Sequence, residues 1–268
     1  MIPTIPNILA IAGSDPSGGA GIQADIKAIS ANGGYAMAAI TALTVQNTLG
    51  VRAASLMNPS FVAEQVAAVF DDIRVDAVKI GMLGDAAIVE AVAQVLAGRD
   101  VPVVLDPVMV AKGGDRLLAG DAVAALRDRL VPLATVITPN LPEAADLLGC
   151  AEATTRDDMR TQAQTLLALG CGAVLLKGGH LAEDDSPDLL HAPARSEWLE
   201  GPRLRTVNTH GTGCTLSATL ATHLALTGDP LAAALAAKAY TAGAIAGASA
   251  LTVGRGHGPT DHFFASRR

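Results

Sequence analysis

The chain has 268 residues, half of them hydrophobic, which is enough to bury a large core within one α/β domain. With 19 Lys and Arg against 26 Asp and Glu, its net charge of −7 disfavours general attraction to nucleic-acid phosphates or anionic lipid. Three cysteines, Cys150, Cys171 and Cys214, are too few and too scattered for a disulfide framework or C-x-x-C metal spacing, so a reducing cytoplasm is expected.

In chain order, short β-branched runs alternate with longer helical stretches, the pattern of parallel strands joined by helical crossovers. MIPTIPNILAIAG carries no basic residue before its apolar run, so it leads into a first strand, Asn7 to Ala12, and does not read as a secretory signal. Further strands are expected at Ala36 to Leu43, Ala77 to Ile80, Val103 to Leu105, Thr135 to Thr138 and Ala173 to Lys177. All are apolar on both faces, as strands covered by helices on either side of a sheet must be. Helices are expected at about Ala20 to Ala31, Ser60 to Asp71, Ala86 to Ala97, Ala122 to Leu130, Arg156 to Leu169, Gly213 to Leu226 and Leu231 to Leu251. Ser60, Asp121 and Asp157 stand where capping residues help start three of them. The stretch between Pro187 and Val207 reads as one or two short antiparallel strands. Leu231 to Val253 is long enough to span a bilayer, but Lys238 inside it would cost about 2.5 to 3.5 kcal/mol there, so a buried helix is expected. Without repeats, low-complexity tracts or linkers, residues 1–268 read as a single three-layer α/β/α sandwich with a mostly parallel sheet.

Ligands of such sheets bind beyond the carboxyl ends of the strands, where polar and Gly-rich clusters gather in this chain. HGTGCT (210–215) precedes an Ala-rich helix, so Gly211, Thr212 and Gly213 would turn the backbone and aim N–H groups at one point. Those donors and the helix dipole make an anion site, and the same field would favour the thiolate of Cys214; a plain Gly-rich turn before a buried thiol fits equally. Asn140 and Glu143 in TPNLPE and Asp106 in LDP are hard oxygen ligands of the kind Mg²⁺ accepts, while Asn140 and Glu143 also suit a helix start. Lys177, ahead of two glycines, puts a cation at the ligand end, where a phosphate partner fits, although a lone Lys after a strand is more often just solvated. Gly13, Gly18, Gly19 and Gly21 allow close backbone approach in the first loop, with Asp25 on the helix that follows facing either ligand or solvent. Gln46 can both donate and accept, as pairing with an aminopyrimidine edge requires, while a loop-facing glutamine with no ligand is the commoner case.

Taken together, AIAGSDPSGGAGIQAD, TALTVQNT, KIGML, VLDPVM, ITPNLPEA, LLKGGH and NTHGTGCT resemble, in order and spacing, the hydroxymethylpyrimidine and phosphomethylpyrimidine kinases of thiamin biosynthesis, within the ribokinase-like superfamily. The resemblance implies ATP with Mg²⁺, phosphorylation of a pyrimidine alcohol and then of its monophosphate, and a homodimer. By position it implies that Asp25 and Gln46 recognise the pyrimidine, with Gly13 and Met82 lining the pocket. Gly211, Thr212 and Gly213 would form the anion hole, with Cys214 where many sugar kinases place an aspartate base. Asn140 and Glu143 would serve the magnesium ion, Asp106 would support the metal and phosphate region, and Lys177 and Lys238 would contact nucleotide. Two alternatives stay open: a pyridoxal or pyridoxine kinase of the same fold, against which Gln46 argues, and a non-catalytic pyrimidine sensor.

Overall fold

Apolar runs that bury both faces must lie inside a sheet covered on both sides, and the computed structural model shows that arrangement over the residues it describes, 4–109, 120–182 and 184–267. Strands β1 (Asn7–Ala12), β2 (Tyr35–Ile40), β5 (Ala77–Ile80), β6 (Val103–Leu105), β7 (Val136–Ile137) and β8 (Val174–Lys177) run parallel. The sheet continues into β9 (Asp188–Ala192) and β10 (Arg195–Leu199), each antiparallel to its neighbour, in the order β10-β9-β8-β7-β6-β5-β1-β2. The remaining strands, β3 (Ala42–Asn47) and β4 (Gly50–Leu56), pair with each other as a separate antiparallel ribbon.

Helices α2 (Pro59–Asp72), α3 (Ala86–Leu96), α4 (Gly120–Ala125), α5 (Leu141–Leu148) and α6 (Arg156–Leu167) bury one face of the sheet, around Leu9, Val78 and Leu105. On the other face α1 (Gly21–Ala31), α7 (Thr212–Thr227) and α8 (Pro230–Gly247) pack on Ile8, Ala10 and Val104. The expected α/β/α sandwich is present.

Several elements differ from expectation for identifiable reasons. The run expected as one strand from Ala36 to Leu43 breaks at Thr41, whose N–H donates to the Ala12 carbonyl and whose hydroxyl donates to the Met82 carbonyl. Beyond that anchor the chain leaves the main sheet and forms the ribbon, and β4, rich in small exposed residues, carries no burial signal in its sequence. The expected helix at Ala122 to Leu130 is α4 followed by a π-helical turn at Leu126–Leu130.

Caps also shift. Asn58 rather than Ser60 accepts the first N–H of α2, Thr155 rather than Asp157 caps α6, and Asp121 lies in the first turn of α4. In α8 only Ala233, Ala234, Ala237, Thr241 and Ala244 are buried, so the helix packs along one face instead of being enclosed. Among the described residues it is the one helix long and apolar enough to cross a membrane, and its Lys238 is ion-paired to Asp188 at 2.7 Å.

Candidate active site

Loops after the parallel strands meet at one end of the sheet around an open cleft, with roughly 850 Å³ of empty space counting its mouth. Gly13 leads from β1, Met82 follows β5, Asp106 follows β6, and Asn140 follows β7. Lys177 ends β8, and Gly211 opens α7. The cluster expected at 105–115 contributes Asp106 and Val108 to the lining; its residues from 110 onward lie outside the described residues.

Asp106 is the buried anion of the site. One carboxylate oxygen accepts from Thr138 at 3.0 Å and from Lys177 Nζ at 3.1 Å, and the other accepts from Ser217 at 3.2 Å. Burial alone would raise this carboxyl, but Lys177 and then Lys79 outweigh it and hold it below the usual range. Lys177 also lies 3.8 Å from Glu143 Oε2, and Asn140 and Lys177 meet as a parallel bridge between the ends of β7 and β8.

Asn140 and Glu143 form a reciprocal capping box at the start of α5, each accepting the other's backbone N–H at 2.8 Å. The helix-start reading is therefore present, and both side chains still line the cleft. Burial raises Glu143 to about 7, against the pull of Lys177, and the neighbouring Asp106 carboxylate adds to the rise.

Gly211 caps α7 with φ +77°, and a side chain there would overlap the carbonyl of Gly19 in the first loop. Glycine is required where the two loops touch. Gly211, Gly213 and Cys214 line the cleft, whereas the Thr212 hydroxyl turns back to donate to the Thr209 carbonyl at 2.8 Å. The expected thiolate is corrected by the environment. Burial pushes the Cys214 thiol up to about 11, and the opposing pull of Lys79 and of the Gly21 N–H does not restore it.

Gln46 lines the cleft from β3, in a ribbon whose opposite face turns Leu43 and Val45 to solvent. Gly13 lies against Met82, where a side chain on the glycine would overlap the methionine methyl. Asp25 does not line the cleft. It is fully buried beneath it, with both oxygens accepting from Lys79 Nζ at 2.8 Å, so its carboxylate is committed to an internal ion pair. Burial raises Asp25 to about 6; Lys79, which burial would lower, is held above its ordinary range by that carboxylate. Lys238 is corrected in the same way: its ammonium donates to the Ser186 carbonyl and to Asp188, both at 2.7 Å, outside the cleft lining.

Asp15, His210, Ser14 and Thr44 line the cleft and were passed over in the sequence. Asp15 lies between glycines of the first Gly-rich motif and His210 opens the second, and neither has a local partner in the sequence that marks its role. They bond to each other at 2.7 Å across 195 residues of chain. Burial would raise Asp15, but hydrogen bonds from His210 and Ser17 prevail and hold it at about 2.

Positive charge from Lys177 and the start of α7 converges on an opening that also holds carboxylates suited to a metal-bound nucleotide. Such chemistry fits a transferred phosphoryl group, and on an α/β/α sandwich it places the protein among the ribokinase-like kinases. Comparison with known proteins narrows the class. Residues 15–261 match the phosphomethylpyrimidine kinase family, and the chain belongs to it. It is 52% identical over 260 residues to the hydroxymethylpyrimidine/phosphomethylpyrimidine kinase of Escherichia coli K12, covering 97% of this chain and 98% of that protein. Among solved structures it resembles an ADP complex of Bacillus subtilis pyridoxal kinase, with a TM-score of 0.91 and 38% identity over 99% of this chain and 100% of the other. A phosphomethylpyrimidine kinase from Clostridium difficile 630 matches with a TM-score of 0.80 and 40% identity, over 90% of this chain and 100% of the other.

Two outcomes follow for the buried charges and the thiol. Lys79→Met strands the Asp25 carboxylate and should lower unfolding stability in urea by about 3 to 5 kcal/mol, whereas adding Asp25→Leu should recover most of the loss. Full stability of the single variant would show that the pair carries no load. Cys214 should alkylate slowly at pH 7.5, after exposed Cys150, with a rate that climbs as pH rises toward about 11. Fast labelling at neutral pH, read by mass spectrometry, would contradict the raised thiol.

Proposed function

We propose that this chain transfers the γ-phosphoryl group of ATP to the hydroxyl of 4-amino-5-hydroxymethyl-2-methylpyrimidine, and then to the resulting monophosphate, in thiamin biosynthesis. The observation that carries the substrate is Gln46. It turns a carboxamide into the cleft from the ribbon and offers a donor and an acceptor side by side to a ring nitrogen and its neighbouring amine. Family membership and the identity to named pyrimidine kinases support the reading. The likeness to pyridoxal kinase keeps that vitamin as the competing substrate, and the ADP bound to that neighbour supports ATP as donor.

Transfer is in line, with catalysis coming from positioning and charge neutralisation. Lys177 and the N–H groups of Gly211, Thr212 and Gly213 take up charge on the transferred group. Asp106 holds Lys177 in place, and the Asn140–Glu143 capping box fixes the carboxylate that faces the nucleotide phosphates. Mg²⁺ fits by donor chemistry. Among the described residues no three Asp, Glu, His or Cys form a closed cage, so the ion would arrive on the nucleotide and be reached by Glu143 and Asp106 through water. A bound Mg²⁺ supplies neutralisation of phosphate charge. Cys214, protonated at rest, is a positioned thiol at the cleft floor, and a loose transition state releases the hydroxyl proton late enough to need no standing base. The free thiols Cys150, Cys171 and Cys214 accord with a reducing compartment.

Wild type should favour the pyrimidine over pyridoxine by at least about tenfold in kcat/KM, because an unmatched buried polar pair costs about 1 to 3 kcal/mol. Gln46→Met should erode that preference mostly by weakening the pyrimidine. Equal efficiency on pyridoxine would overturn the substrate while leaving the kinase. Glu143 carries charge only as pH rises through about 7, so turnover at limiting Mg²⁺ should rise between pH 6 and 8. Glu143→Gln should flatten that rise and increase the Mg²⁺ requirement; an unchanged profile would remove Glu143 from the metal site.

A further inference from the structure

Asp15, His210 and Gln46 form a chain of contacts along the cleft that bears on the way a substrate ring can lie. Asp15 is buried, and its carboxylate is held at about 2, so it acts only as an acceptor. It gathers the N–H groups of Ser17, Gly19 and Ala20, the Ser17 hydroxyl, and His210 Nε2 at 2.7 Å. His210 Nε2 must therefore carry a hydrogen, whether the ring is neutral or charged.

The same Nε2 lies 3.5 Å from the amide nitrogen of Gln46, which sets donor against donor. On its other side the Gln46 amide oxygen lies 3.3 Å from the Thr44 hydroxyl oxygen. Thr44 has one hydrogen, and the Ser14 carbonyl at 2.8 Å is the shorter acceptor for it. That contact sets acceptor against acceptor. Turning the amide by half a revolution lets an N–H donate to Thr44 and removes the donor–donor contact, with the carbonyl facing the one Nε2–H of His210 as the longer arm of a three-centre bond whose shorter arm goes to Asp15.

We infer that Asp15 and His210 are positioning residues that fix the orientation of the Gln46 carboxamide and thereby dictate which way round the substrate ring sits. With the amide pinned, one N–H and one oxygen lone pair remain for the ligand in a set left-to-right order. Reversal would exchange donor and acceptor and present a different edge of the ring, swinging the hydroxyl away from Cys214 and the start of α7. The relay is held rigidly because Gly19 packs on the His210 ring, where any side chain would overlap it, and because His210 exchanges backbone bonds with the Gly258 and Thr260 segment.

This inference rests on the pyrimidine reading, and its test separates the two. Calorimetric binding of 4-amino-5-hydroxymethyl-2-methylpyrimidine is compared with that of the analogue lacking the 4-amino group, in wild type and in His210→Leu. Wild type should bind the amino compound about tenfold more tightly. In His210→Leu that ratio should collapse to below about threefold, and combining it with Gln46→Met should lower the ratio no further. A variant that weakens both ligands equally, keeping the ratio, would overturn the relay, because His210 would then be merely structural. Nitrogen-15 NMR of native protein labelled at histidine provides an arm free of mutation and of substrate. His210 Nε2 should be protonated, and a bare Nε2 would overturn the relay even if His210→Leu fails to fold. No amino preference in wild type would instead refute the pyrimidine reading, with the tautomer still deciding the hydrogen-bond order.

Discussion

A carboxylate buried at the end of a parallel strand must find donors or be neutralised, and Asp106 finds three donors and a further cation on four separate elements. Its partners come from the end of β7 through Thr138, from β8 through Lys177, from α7 through Ser217, and by longer-range attraction from β5 through Lys79. Satisfying one buried charge therefore ties together the strand ends that line the cleft. The geometry of the phosphate end follows from that requirement, since Lys177 cannot swing away without removing the cation that donates to Asp106.

Beneath this cluster the Asp25–Lys79 pair supplies a second layer of charge, fully out of solvent. Desolvation is the largest effect on Cys214; Lys79 lends it a neighbouring cation, yet Asp25 and Asp106 oppose that pull. This explains why a helix start that favours anions holds a neutral thiol. A helix terminus acts over one turn, whereas burial acts on the whole ionised group.

The substrate end is organised by hydrogen-bond satisfaction rather than net charge. The first Gly-rich loop is wound around the Asp15 carboxylate, the loop before α7 is pressed against it at Gly19 and Gly211, and His210 bridges the two. The β3–β4 ribbon lays Thr44 and Gln46 across the top while leaving Leu43 and Val45 exposed on its outer face. Alternation along a strand achieves this division directly, because neighbouring side chains point to opposite sides.

Strand positions such as Asn7–Ala12 and Val103–Leu105 were legible from residue type alone, because strands buried on both faces admit little but apolar side chains. The Gly-rich turn before α7 was equally legible, since a positive φ at Gly211 restricts the residue to glycine. Side-chain roles that depend on distant partners were not. Asp25 and Lys238 look like free charges in the sequence, and only the fold brings Lys79 and Asp188 within reach to neutralise them. Asp15 and His210 are 195 positions apart, and no local pattern records a bond between them. Local chemistry is written in spacing and composition, whereas the protonation and orientation of a buried group depend on which remote atoms desolvate it and which accept its hydrogen.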